Sequence, residues 1–322
     1  MKKRTLLVMA LAAAAAMPPG VRAQSHDKSI RMIVGFPPGQ ATELIARILA
    51  EGLGKELGQT IVVENKPGQG GSLALGALAK APADGSVITV SALASYAINP
   101  FLYKSVPYDT LKDFAPIGLV ADIPTVLVTG AESGIASFPD LIRQAKAQPG
   151  ALRHSSSGNG TVSHLGMQEL KRRAGLDIVH VPYQGSARAM TDLVAGRVQV
   201  GLDSVAATRQ LVEGKRLVVL AAASRKRLSA FPDAPTLEEL GFPGLEVSAW
   251  TGVSVPAATP AAVRDRLAAA VHKVVSSADF AAKMEPMGAI PHPATAQEFA
   301  AFLRGEMKRW QALVASSGAQ VE

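Results

Sequence analysis

The chain has 322 residues, no Cys, and 33 Lys and Arg against 26 Asp and Glu, a formal charge of +7. The lack of Cys excludes disulfides, thiolate metal sites, a cysteine nucleophile and a lipoprotein anchor, and suits an oxidising compartment such as the periplasm. With 5% aromatic residues and no basic tract, a nucleic-acid platform is excluded too, while the length predicts two domains.

Residues 1–23 read as a secretory signal peptide. Lys2, Lys3 and Arg4 form the positive start, residues 6–17 the apolar stretch, and Val21-Arg22-Ala23 a cleavage site. The apolar stretch is shorter than the roughly 20 residues that a membrane helix needs, so the mature chain is expected in the periplasm and not embedded in the membrane. The segment holds four of the basic residues and none of the acidic ones, which leaves a nearly neutral mature protein, about +3.

Residues 30–34 (IRMIV) have strand character. Residues 35–41 form a stiff loop with Gly35, Pro37, Pro38 and Gly39. A helix follows, with Thr42 as its expected N-cap and Leu44, Ile45, Ile48 and Leu49 on its apolar face. Strand, loop and helix N-terminus together aim free backbone N–H groups at an anion. A second unit runs from strand 59–64 through Gly68, Gly70 and Gly71 to helix 73–80. Its loop matches neither the dinucleotide fingerprint nor a phosphate loop. A third unit has strand 86–91, ending on Ser91, and helix 93–99. These alternations predict a mostly parallel sheet covered on both faces.

Residues 117–129 read as an extended run broken at Asp122-Ile123-Pro124, a candidate crossover between domains. Ser137 opens a helix with capping-box spacing. The strand at 152–155 delivers a second special loop, Ser155-Ser156-Ser157-Gly158-Asn159-Gly160-Thr161, ahead of the helix at 162–174. Strand 176–181 leads through Pro182-Tyr183-Gln184-Gly185-Ser186 into helix 187–195. Strands are expected at 198–202 and 217–222, a return crossover at 246–256, and amphipathic helices at 261–276 and 295–315.

Three strand–loop–helix turns thus carry hydroxyls, the Asn159 amide and backbone N–H groups, a donor set suited to a carboxylate. Asp203 stands at the carboxyl end of a strand, where open α/β sheets bind ligands, or caps the next helix. His164, a turn into its helix, either reaches a ligand or packs. The six His residues show no metal-binding spacing, and there is no G-x-S-x-G nucleophile elbow. No metal, cofactor or catalytic residue is expected.

Seven ordered blocks carry a resemblance over essentially the whole mature chain: VGFPPGQATELIARILA, VENKPGQGGSLALGALAKAPADG, NPFLYKSVPYDTLKDFAPIG, SSSGNGTVSHLGMQELK, HVPYQG with DLVAGRVQVGLD, FPDAPTLEELGFPG and WTGVSVPAATP. The chain resembles the periplasmic substrate-binding receptors of tripartite tricarboxylate transporters, the Bug receptors. The resemblance implies two doubly wound α/β domains of the type II periplasmic-binding-protein kind, joined by crossover segments and closing by a hinge around a ligand between them. The domains would be 24–122 with 246–322, and 123–245. It also implies a monomer that hands a small carboxylate to inner-membrane transporter subunits in transient contact.

The expected ligand-binding set is Phe36, Gly39, Gln40, Ala41, Thr42, Ser91, Ser156, Ser157, Asn159, Gly160, Thr161, His164, Gly185 and Asp203. Two departures from the family pattern stand out. Gln40 replaces a second Gly and Glu43 replaces an Asp in the first loop, and Arg188 stands where a Pro often begins the helix, facing either the cleft or solvent. The alternatives are a sensor feeding a signalling partner and a small-ester hydrolase using Ser156 or Ser157.

Overall fold

The computed structural model describes residues 29–317, and the expected signal segment, 1–23, lies outside them. The β-branched run at the start forms strand β1 (Ile30–Val34), and helix α1 (Ala41–Leu57) leads from it to β2 (Ile61–Asn65). Helix α2 (Ser72–Ala79) then leads to β3 (Val87–Ala92), and both β2 and β3 lie parallel to β1. In place of a regular helix at 93–99 the chain makes one π-helical turn (Ala94–Ile98) and a short helix (Asn99–Leu102). Strand β4 (Phe114–Gly130) follows.

The second half alternates α3 (Phe138–Ala147), β5 (Arg153–Ser156), α4 (Val162–Ala174), β6 (Val179–Pro182), α5 (Ser186–Val194), β7 (Val200–Ser204), α6 (Val205–Glu213) and β8 (Leu217–Ala222). Ser137 caps α3 as its spacing predicts, accepting the Asp140 N–H at 3.3 Å. Strand β9 (Ser248–Pro256) returns the chain to the first half. There α7 (Ala261–Val275), α8 (Ala278–Met284), β10 (Ile290–Pro291) and α9 (Ala296–Ser317) complete it.

The strands run in the order β2-β1-β3-β9-β4-β7-β5-β6, with β8 and β10 also bonded to β4. The sheet is mixed, not mostly parallel as expected. The two long strands that pass between the halves, β4 and β9, run antiparallel to their neighbours. Nor is β4 broken at Asp122-Ile123-Pro124: it continues for 17 residues and changes partner instead. Its rungs face β9 from Phe114 to Pro124, and from Thr125 onward they face β7. Pro124 holds the last rung before the change, where a missing N–H is tolerated. The second passage is tied at the same level, because Val247 N–H donates to Ala223 O at 2.8 Å.

Strand alternation distributes the core over both faces of each half. Met32 and Val34 pack with Ile45, Leu49 and Leu53 of α1 and with Leu267 and Val271 of α7. Ile33 points the other way, into Leu75, Leu78, Phe299 and Trp310. In the second half Val126 and Val128 meet Met190, Leu193 and Val205, whereas Leu127 meets Phe138, Leu141, Met167 and Leu170. Each half is therefore a sheet between two helical layers, and the loops that start helices α1, α4, α5 and α6 are left at their junction.

Candidate functional site

A cleft of about 940 Å³ lies at that junction. Its first wall begins where the chain leaves β1. Gly35 lies backbone to backbone on the second loop, so close that a Cβ would stand 2.5 Å from Gly71 Cα. Asn65 Nδ2 donates to Phe36 O at 2.8 Å and braces the turn. Phe36, Gly39, Gln40, Ala41 and Thr42 then line the cleft.

Helix α1 starts two residues earlier than expected, with Gln40 and not Thr42 at the N-cap. The Gln40 side chain makes no capping bond. Glu43 serves instead: its Oε2 accepts the Gly39 N–H at 2.9 Å, and its Oε1 pairs with Arg47. Thr42, in the first turn and buried, is left to face the cleft.

The serine-rich loop divides between cleft and interior. Ser157 and Thr161 line the cleft together with Ser163. Ser157 N–H donates to Ser163 Oγ at 3.0 Å, and Thr161 Oγ1 donates to Gly158 O at 2.7 Å while capping α4. Ser156 points inward, its Oγ 2.7 Å from His180 Nε2. His164 also points inward, its Nδ1 accepting the Gly160 N–H at 3.1 Å. Its ring stacks on His180 at 4.0 Å, and His180 stacks on His154 at 4.7 Å. Burial, then the neighbouring imidazoles and Lys171, pulls His154 down to about 3 and His180 to about 4. Burial and Lys171 lower His164 as well. The stack is an uncharged prop behind the loop.

Gly160 has φ +70°, and a Cβ there would meet Leu102 Cδ2 at 2.0 Å, so the loop is seated on a side chain of the other half. Gly160→Ala is expected to lower stability by about 1–3 kcal/mol, from backbone strain and this contact. Urea unfolding measures it, and a loss under half a kcal/mol would mean that the seat is soft.

The remaining wall comes from α5 and α6. Asp203, only 5% exposed, accepts Ser186 Oγ at 2.8 Å and Ser204 N–H at 2.7 Å on Oδ1, and so ties the two helix starts together. Its Oδ2 is buried without a partner, and burial raises its pKa above the usual carboxylate range. Ser204 caps α6 by accepting the Ala207 N–H.

Four helices, α1, α4, α5 and α6, therefore begin on the cleft surface. Each N-terminus carries unsatisfied N–H groups and about half a positive charge. Among the described residues, Arg216 is the only Lys or Arg in the lining.

Of the expected set, the cleft brings together Phe36, Gly39, Gln40, Ala41, Thr42, Ser157, Thr161, Gly185 and Asp203. The other five lie off its surface. Ser91 is buried within β3 with its hydroxyl unpartnered. Ser156 and His164 face the imidazole stack, Gly160 faces Leu102, and Asn159 is exposed outside the lining. Arg188 is exposed and also outside. Thr125, Ser163, Gln184, Ser186, Ser204, Met190 and Arg216 line the cleft but were not expected there. The available signal for Ser186 and Ser204 was that each stands at a helix start soon after a strand.

The family profile described as "Tripartite tricarboxylate transporter family receptor" matches residues 45–319. The "UPF0065 protein in tcbD-tcbE intergenic region" of Pseudomonas sp. (strain P51) is 37% identical over 318 residues, 97% of this chain and 94% of that one. Among solved structures, R. palustris Rpa4515 with adipate matches with a TM-score of 0.82 and 31% identity, over 91% of this chain and 98% of that one. MatC from Rhodopseudomonas palustris with bound malate gives 0.76 and 28%, over 89% and 98%. The family and its structural neighbours are binding receptors rather than enzymes. The chain belongs to the receptor family of tripartite tricarboxylate transporters, the Bug receptors, whose members are periplasmic solute-binding proteins.

Proposed function

We propose that this receptor works in the periplasm, closes its two halves (24–122 with 246–322, and 123–245) around a small organic carboxylate, and presents it to the membrane subunits of a tripartite transporter. The observation that carries this reading is the convergence of four helix N-termini on one cleft. A carboxylate accepts several hydrogen bonds at once. The amides of Ala41 and Thr42 stand at the first two positions of α1, where the helix offers them no carbonyl. Ser157 adds a hydroxyl from the opposite wall, and Phe36 floors the site. Adipate and malate in related structures support a carboxylate ligand.

Asp203 narrows the choice. Its orphan Oδ2 repels a second carboxylate and favours a ligand hydroxyl or ammonium close to the bound anion. Malate or aspartate should therefore bind more tightly than succinate.

Thermal melting against monocarboxylic, dicarboxylic, tricarboxylic, aromatic and amino acids tests the reading. A ligand at a hundred times its Kd adds about 2.7 kcal/mol to folded-state stability. Thr42→Ala and Ser157→Ala should each weaken binding by about two- to tenfold, the span of one hydrogen bond. Asn159→Ala should leave it unchanged. If protein freed of bound small molecules by unfolding and refolding shifts with none of these acids, the carboxylate reading is wrong.

A further inference from the structure

Past the helix starts, the cleft continues as a furrow between α5 and α6. Ala187, Met190, Thr191 and Val194 form one bank, at the i, i+3, i+4, i+7 spacing of a single helix face. Ala207 and Leu211 form the other. The one hydroxyl among them, on Thr191, donates back to Ala187 O at 2.9 Å, so the bank presents methyl groups and a thioether. From Ala187 to Val194 the furrow runs about 10 Å, at the helical rise per residue.

Arg216 stands at its far end, in the turn between α6 and β8. Neighbouring cations are engaged elsewhere: Arg209 pairs with Glu213 at 2.9 Å and Arg197 with Asp192 at 2.7 Å. Among the described residues, the Arg216 guanidinium has no such partner. At the near end lies the buried, unpartnered Oδ2 of Asp203. The lining thus offers, in order, helix N-termini, a lone acceptor, an apolar channel and a free cation. At about 940 Å³, the space lies near the top of the range for ligand sites, roughly 300–1,000 Å³.

We propose that the ligand is an elongated acid: one carboxylate sits among the helix N-termini, an apolar body lies in the α5–α6 furrow, and a second anionic group reaches Arg216. The inference rests on the carboxylate-receptor reading and extends it from ligand class to ligand length.

The test is calorimetric titration of the full chain with succinate, adipate, suberate and sebacate, and with octanoate and decanoate as single-ended controls. Each methylene taken from water strengthens binding by up to about fourfold, so affinity should climb tenfold or more from succinate to the longer diacids. The Arg216 contact is solvent-exposed, and the diacid should therefore exceed the monoacid of equal length by about three- to fivefold. In Arg216→Gln that advantage should vanish. A bulky side chain in the furrow, Ala207→Phe, should lower the ratio of sebacate to succinate affinity.

If succinate binds and the longer diacids gain nothing, the furrow is not part of the site and the inference falls alone. An unchanged diacid advantage in Arg216→Gln overturns the role of the cation. If no acid of any length binds, the carboxylate reading falls and takes this inference with it.

Discussion

Trp250→Ala should destabilise the protein by about 3–5 kcal/mol, the usual loss when a large buried aromatic is truncated. Trp250 is 2% exposed. Its ring stacks on Tyr96 at 5.8 Å and meets Phe299 and Phe302 edge to face at 5.7 and 5.4 Å. Its Nε1 donates to Glu306 Oε2 at 2.9 Å, an oxygen that also accepts from Trp310 Nε1 at 3.0 Å. Truncation removes the contacts and also one donor from a carboxylate that is 8% exposed. Trp250 faces Asp122 across the β4–β9 ladder, and its neighbour Ala249 lines the cleft, so rear packing and front surface share one strand. Denaturant unfolding of Trp250→Ala and Trp250→Phe separates the terms, since Phe keeps most of the ring and should lose much less. A loss below 1 kcal/mol for the Ala variant would refute this account.

The second large effect is acid sensitivity centred on the imidazole stack. His154 and His180 are held far below the ordinary 6.5, at about 3 and about 4. As the pH falls below about 6.5 the unfolded chain takes up protons that the folded chain refuses. Stability complete at neutral pH is therefore withdrawn as the pH falls toward the folded-state values. A depressed group contributes up to about 1.4 kcal/mol per pH unit in that window, which for the fully buried His154 is about 3 kcal/mol between pH 6.5 and 4. His164 adds a local consequence, because protonation of Nδ1 would remove the acceptor of the Gly160 N–H. The check is urea unfolding at pH 7 and pH 4.5 for the wild type and for His154→Leu. The variant should lose less stability than the wild type between the two pH values, and equal losses would sink the idea.

Much of the architecture could be read from residue pattern because local and tertiary signals agree. Helix α4 runs Val162–Ala174 as expected, since Thr161 caps it and Gly175 ends it in the left-handed conformation. Strand β8 likewise has its expected bounds. The pattern misled where one residue serves two contexts. Pro124 reads as a strand breaker, yet it sits where β4 exchanges β9 for β7, a partner change that local pattern does not encode. Thr42 has the chemistry of an N-cap, but Glu43 reaches back to Gly39 and the helix starts sooner.

Glycine and serine density pointed to loops that the fold brings to the cleft, without saying which side chains face outward. Ser156 and Ser157 are adjacent and chemically identical, and the His180 imidazole draws the first inward. Ser186 and Ser204 were missed because the carboxylate that gathers them, Asp203, acts through space between two helices.

The positive side of the cleft is made almost wholly of main chain. A lysine or histidine lining would lose its charge at some pH and could be neutralised by acylation or displaced by a rotamer change. Peptide dipoles at helix starts have no proton to give up and no torsion of their own to relax. For as long as the fold stands, the attraction for an anion is a fixed property of the backbone, and evolution can exchange the side chains around it without changing its sign. Protonation of the ligand itself is then a chemical means of weakening the grip, because it removes the charge on which these dipoles act.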